Sequence, residues 1–349
     1  MNELDRRILP LFCLGFDGIV VPGHIRAWLQ AGLSGVILFS RNLRDIEQIC
    51  ALTADLRAAG AQLISVDQEG GRVVRLPPPF TIPPPAAAIG RTGDPAFAEE
   101  LAYAIGTELR AAGFNWNLVP VLDVHTNPAN PIIGDRAFGS DPDLVARMGL
   151  ATARGYARAG LLTTAKHFPG HGDTSVDSHL ALPVCHHPRA RWDAIELAPF
   201  REAIRAGVPS IMLAHLACPA LDAELPTSLS PAVITEMLRK QLGYDGLVVC
   251  DDLEMAAVAG RYSSGEATVR FLEAGGDLVL ICRDAARQQE AVAAVRQALE
   301  IGRITEARLE PSLARVQAFR PPAPASADIE PSRASIGCPS HQELLKRIQ

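Results

Sequence analysis

Short apolar runs alternate with longer amphipathic segments along most of the chain, and no other feature limits its possible folds so strongly. The runs lie at 9–14, 35–39, 62–66, 115–122, 162–165, 210–213, 246–250 and 277–281. Between them, segments such as 45–59, 97–112, 142–159, 194–206, 231–242 and 285–301 carry helical periodicity. Strand and helix are therefore expected to take turns. An Ala-Gly step closes many of the helical segments, at Gly32, Gly60, Gly113, Gly160, Gly207 and Gly275. Glycine supplies the left-handed residue past a helix end, and an Arg in the last turn complements the helix dipole. Each stop leads within a few residues into the next run, which makes the unit a βα repeat.

About eight such units in 349 residues predict an α/β protein, a closed (β/α)8 TIM barrel, with an open doubly wound sheet as the competing arrangement. Polar residues discriminate between the two. Asp67-Gln68-Glu69 follows the third run, Asp123 the fourth, Lys166-His167 the fifth, His215 the sixth and Asp251-Asp252 the seventh. Functional side chains at the carboxyl ends of several strands suit a barrel, whereas an open nucleotide-binding sheet wants a Gly-rich turn after its first strand. Residues 1–320 are expected to form one catalytic domain. Residues 321–349 read as a Pro-rich linker and a short helix, 342–348, packed on the barrel.

A formal net charge of -6 offers no broad basic surface, which argues against nucleic acid. Acids, bases, Pro10 and Gly15 interrupt the first 17 residues, so no signal peptide is expected, and no run reaches the ~18 apolar residues of a membrane span. Seven scattered cysteines without a CxxC pair fit a reducing cytoplasm.

The segment 166–179, KHFPGHGDTSVDSH, concentrates one Lys, three His and two Asp. Pro169, Gly170 and Gly172 forbid a continuous helix, so these groups are expected on a loop leaving a strand. Asp177 and His179 stand two apart, a spacing that lets the carboxylate orient the imidazole as a tunable acid/base. Of Asp251 and Asp252, alternation along the strand sends only one into the site; the other supports it or caps the following helix. A carboxylate opposite a His proton donor suits double-displacement glycoside hydrolysis. Asp67, with Arg72 and Arg75 beyond the Gly70-Gly71 turn, either binds sugar hydroxyls or forms a structural ion pair.

Four ordered motifs, DQEGGRV at 67–73, NPIIGDRAFG at 130–139, KHFPGHGDTSVDSH at 166–179 and VVCDDLEM at 248–255, resemble glycoside hydrolase family 3. The likeness runs from about residue 9 to 320 and is narrowest to the bacterial β-N-acetylglucosaminidases of peptidoglycan recycling. The resemblance implies a TIM barrel and a retaining exo-hydrolase that releases terminal β-linked N-acetylglucosamine. It places the nucleophile at Asp251 and the acid/base at His179 assisted by Asp177. Separately, no metal or cofactor is expected, the partner is expected to be a small GlcNAc-containing carbohydrate, and the chain is expected to act as a monomer. In the family resemblance, sugar contacts fall on Asp67, Arg75, Arg136, Lys166 and His167, with Arg72 in support. The chain departs from the family pattern in two proline triplets, 77–79 and 83–85, and in Cys250, where Ser or Thr is frequent. No second sandwich domain is expected. Competing readings are a phosphorylase or chitobiose-type enzyme on the same scaffold, and substrate-assisted hydrolysis using Asp251 and Asp252. Two others belong to different classes: a metal hydrolase drawing on His167, His171, Asp173, Asp177 and His179, and a non-catalytic sugar-binding protein.

Overall fold

A computed structural model of the chain describes residues 3–321 and 332–348. Among the described residues nine parallel strands form the centre: β1 (Phe12–Leu14), β2 (Gly35–Leu38), β3 (Leu63–Val66), β4 (Trp116–Asn117), β5 (Leu162–Thr163), β6 (Ala165–Phe168), β7 (Ser210–Leu213), β8 (Leu247–Cys250) and β9 (Val279–Ile281). Six of them pair in the order β5-β4-β3-β2-β1-β9 and three in the order β6-β7-β8. The parallel bridges Val121↔Lys166 and Val249↔Leu278 link the two sheets. The fold is thus α/β with parallel strands and helical connections. Strands buried throughout, such as Gly35–Leu38 and Leu247–Cys250, show why the runs are apolar without alternation.

Helix limits follow from their caps. Asp45, Asp94, Asp141 and Asp284 accept first-turn N–H groups of the helices Ile46–Ala59, Pro95–Ala111, Pro142–Arg158 and Ala285–Glu300. All six Ala-Gly steps put glycine at positive φ, between 72° and 112°. The expected helix at 194–206 differs. It begins earlier, after Pro188, and is interrupted, with a π-helical Trp192–Glu196 followed by Ala198–Arg205. Pro199, which has no N–H to donate, stands at that break.

Two strand expectations also change. The fourth run pairs as a strand only at Trp116–Asn117, because Pro120 cannot donate to a ladder. The fifth continues past Ala165, so Lys166 and His167 belong to β6 and not to the loop. Thr164 separates β5 from β6; its N–H turns to the Val119 carbonyl (2.8 Å).

The linker expected after Arg320 lies outside the described residues from 322 onward. The terminal helix spans Pro339–Leu344, with a 3-10 turn at Leu345–Ile348. It lies against the helix Pro95–Ala111: His341 Nδ1 is 2.7 Å from Glu108 Oε1, and Arg347 is 2.6 Å from Glu100. No helix among the described residues is long and apolar enough to cross a membrane.

Candidate active site

Parallel strands present all their carboxyl ends on one side, and there a cavity of ≈ 810 Å3, partly open to solvent, is found. Asp67, Arg75, Arg136, Lys166, His167, His179 and Asp251 all line it. Asp177 is joined to it through His179. Every site residue read from the sequence is therefore gathered at one place.

The floor is a network of charges. Lys166, buried in β6, sets its ammonium 2.5 Å from Asp67 Oδ1 and 2.6 Å from Glu69 Oε1. Arg136 grips the same Glu69 through two bonds of 2.8 Å, a bidentate geometry that orients as well as neutralises. Arg75 stands 3.9 Å from Asp67. Burial alone would raise the Glu69 carboxyl, but Arg136 and Lys166 outweigh it and hold the group far below the usual carboxylate range. A carboxyl depressed in the folded chain stabilises it above pH about 4.3, and that stability is lost as the pH falls. Glu69→Ala is expected to cost about 3–5 kcal/mol, because it leaves buried Arg136 without its carboxylate and Lys166 with Asp67 alone. Urea unfolding at neutral pH measures this; a loss under 1 kcal/mol would show the pairs to be solvated.

The turn beside Asp67 depends on glycine. Gly70 and Gly71 have φ of 116° and 55°, and a Cβ on Gly70 would meet the Pro84 carbonyl at 2.3 Å. Gly71 N–H donates to the Pro83 carbonyl (2.9 Å), so the second proline triplet forms the wall against which this turn packs. Arg72 reaches the carbonyls of Pro131, Ile132 and Ile133 and pairs with Asp135. Its contacts hold the neighbouring loop.

His167 is oriented from behind. Its Nδ1 donates to Asp123 Oδ2 (2.7 Å), while Asp123 Oδ1 accepts the N–H of His171 (2.6 Å). The other ring edge of His167 faces Arg136 Nη2 at 3.4 Å. Asp123, fully buried, is thus the hub on which this histidine and the start of the following loop turn.

Asp251 and Asp252 divide as alternation requires. Asp251 faces the cavity and accepts the Asp252 N–H (2.8 Å). Asp252 points away and accepts from Glu254 N (3.0 Å) and Cys282 N (3.2 Å). Burial would raise the Asp251 carboxyl, yet His167, the Asp252 N–H and Lys166 together bring it below its usual value. His215 Nε2 donates to the Asp252 carbonyl (3.1 Å) and its Nδ1 accepts from Ser228 (2.7 Å), a neutral arrangement consistent with a pKa lowered by burial.

Asp252 behaves oppositely. Burial, aided by the charges of Glu254 and Asp251, pushes it up to about 7. The folded chain holds that proton more tightly than the unfolded one, so stability present below pH about 3.9 is lost as the pH rises through about 7. Asp252→Asn keeps an oxygen for both N–H groups and is expected to stabilise the chain at pH about 8 by on the order of 1–2 kcal/mol. Denaturant midpoints at pH about 8 and about 4 check this; an equal shift at both would remove the titration as the cause.

His179 rides on the loop. Its Nδ1 lies 2.8 Å from Asp177 Oδ1, which also accepts the His179 N–H (2.8 Å). Burial raises the Asp177 carboxyl, but the His179 N–H and the imidazole lower it further, below its usual value. With Nδ1 engaged, Nε2 is the edge left to exchange a proton. The loop is anchored by His171, whose Nδ1 is 2.7 Å from Thr174 Oγ1 and whose Nε2 is 3.1 Å from Ser178 Oγ. Burial lowers the His171 pKa to about 4, which keeps this anchor neutral.

Among the described residues one group gathers metal-ligand atoms, Asp173, His187 and Glu196, all within 4.8 Å. Arg191 already donates to Asp173 and, at 3.1 Å, to Glu196, so a guanidinium supplies the positive charge there. The histidines and aspartates of the segment 166–179 are spread over separate partners: His167 with Asp123, His171 with Thr174 and Ser178, and Asp177 with His179.

Glu69 and Ser178 received no role from the sequence, His171 figured only as a ligand in the competing metal-hydrolase reading, and Asp123 was placed only as a strand-end acid. Glu69 could have been flagged by its place between Asp67 and Gly70. His171 and Ser178 carry no signal beyond lying in the His-rich segment.

Residues 20–319 match the model of the glycosyl hydrolase family 3 N-terminal domain. The β-hexosaminidase A of Pseudoalteromonas piscicida is 36% identical over 346 residues, covering 89% of this chain; the chain spans only 57% of that protein's length. A family 3 β-N-acetylglucosaminidase from Paenibacillus sp. str. FPU-7 superposes with a TM-score of 0.92 at 42% identity, covering 100% of this chain and 68% of its own. NagZ of Neisseria gonorrhoeae, solved in complex with N-trifluoroacetyl-D-glucosamine, superposes with a TM-score of 0.80 at 29% identity, covering 97% and 96% of the two chains. The chain belongs to glycosyl hydrolase family 3.

Proposed function

We propose that this chain is a retaining exo-β-N-acetylglucosaminidase that releases terminal β-linked N-acetylglucosamine. One observation carries the reading: an ionised carboxylate on a strand end, Asp251, and an Asp-supported imidazole on a loop, His179, line the same cavity over a floor of polar charge. The relatives' activities and the GlcNAc analogue bound by the Neisseria protein support it. The inter-sheet bridges favour a closed (β/α)8 barrel over residues 1–320, with the terminal helix as a strap.

In this mechanism Asp251 attacks the anomeric carbon while His179 Nε2 gives its proton to the glycosidic oxygen, and the aglycone leaves as an alcohol. Water then gives a proton to His179 and its oxygen to the anomeric carbon, which frees Asp251. Asp67, Arg75, Arg136, Lys166 and His167 hold the sugar hydroxyls, with Glu69 and Asp123 fixing their positions. We assign muropeptides carrying GlcNAc on anhydroMurNAc as the substrate class, cytoplasm as the compartment and a monomer as the working form. Hydrolysis of an aryl β-N-acetylglucosaminide followed by NMR tests the core of the reading. The β-anomer should appear first; release of the α-anomer, or no release, would refute it.

A further inference from the structure

Among the described residues five large apolar side chains are exposed, and three of them, Val176, Leu180 and Val184, fall on the loop that carries His179. Val176 precedes Asp177 and Leu180 follows His179, so apolar residues bracket the dyad. Leu180 is 77% exposed. The loop is not loose at its ends: His171 binds Thr174 and Ser178, Arg191 holds Asp173, and Cys185 N–H donates to the Ala217 carbonyl (2.8 Å). Leu180 itself sits in a turn, its N–H donating to the Asp177 carbonyl (2.9 Å). These side chains therefore face water on a tethered segment beside a reacting group.

The position of His179 says what they meet. A proton donor must reach the glycosidic oxygen, the atom that bonds the aglycone, so a leaving group lies beside the segment that carries His179; Val176 and Leu180 stand on that segment, exposed and outside the cavity lining. The floor that takes the sugar is charged, through Asp67, Lys166 and Arg136. Resting on the hydrolase reading above, we propose that Val176 and Leu180 form an apolar aglycone subsite that selects glycosides whose leaving group presents an apolar face. Covering apolar area on both partners rewards such a leaving group, while a small polar one gains nothing.

Non-hydrolysable S-glycosides of N-acetylglucosamine carrying methyl, butyl or cyclohexyl groups test this by calorimetry, independently of turnover. The full chain should bind the cyclohexyl compound ~10-fold or more tightly than the methyl one, a gain matching roughly 50 Å2 of covered apolar surface. Leu180→Ser and Val176→Ser should shrink that gain to under ~3-fold and leave methyl affinity within ~2-fold. A flat series in the unaltered chain, or equal losses for methyl and cyclohexyl compounds in the variants, would overturn the subsite while leaving the sugar site intact. Failure of even the methyl compound to bind would instead bring down the hydrolase reading on which it rests. A concentration-dependent dimer dissolved by Leu180→Ser would assign the patch to a second copy and also overturn the proposal.

Discussion

Asp251→Asn is expected to lower kcat on an aryl N-acetylglucosaminide by ~10^4-fold while leaving the fold unchanged. The amide is nearly isosteric and its oxygen can still accept the Asp252 N–H, so the strand end loses no hydrogen bond. What disappears is the one anionic oxygen that faces the cavity from β8. Because His167, the Asp252 N–H and Lys166 favour its charged form over the opposing effect of burial, Asp251 carries at neutral pH the charge that the proposed nucleophile needs. Protonation of this group therefore sets no acid limb in the rate profile above pH about 4. Mass spectrometry of the unaltered chain with a fluorinated N-acetylglucosamine donor should find the sugar on the peptide that contains Asp251. A loss below tenfold in Asp251→Asn, or an adduct elsewhere, would move the nucleophile to Asp252 or to the substrate's acetamido group.

His179→Ala should show an effect that depends on the leaving group. A poor leaving group needs its proton, and losing the donor should cost ~10^2–10^4-fold in kcat/KM. A dinitrophenolate leaves without help, so the same variant should lose less than ~10-fold in kcat/KM on that substrate. Asp177→Asn should follow the same pattern with smaller losses, since it removes the charge behind Nδ1 but not the ring. Steady-state rates across a series of aryl leaving groups measure the slope. Equal losses on all members would assign His179 to binding. Half-exposed on its loop, His179 packs against little, and its removal should leave the thermal midpoint within a few degrees.

How far the sequence could be read depended on where the deciding forces act. The strand runs were legible because residues buried on both faces must be apolar whatever surrounds them, as in Leu247–Cys250. Lys166 was misassigned to the loop because a lysine ends an apolar pattern. In the folded chain its charge is met by Asp67 and Glu69, and the residue lies inside β6 with its aliphatic stem buried. Glu69 went unread for the complementary reason. Its partners Arg136 and Lys166 lie 67 and 97 positions away, a separation that no local pattern reports.

By itself the sequence determined the βα alternation, the glycine stops and the Asp177–His179 pair, because periodicity, left-handed backbone and a two-residue reach act between neighbours along the chain. Only the tertiary structure decided that Asp123 orients His167 and that Glu69 holds two cations, and it set Asp251 rather than Asp252 in the cavity, a choice that strand alternation alone left open. Those choices rest on hydrogen bonds and charge pairs a few ångströms long between segments far apart in sequence. Burial makes an unmet partner costly, and folding alone brings the partners together.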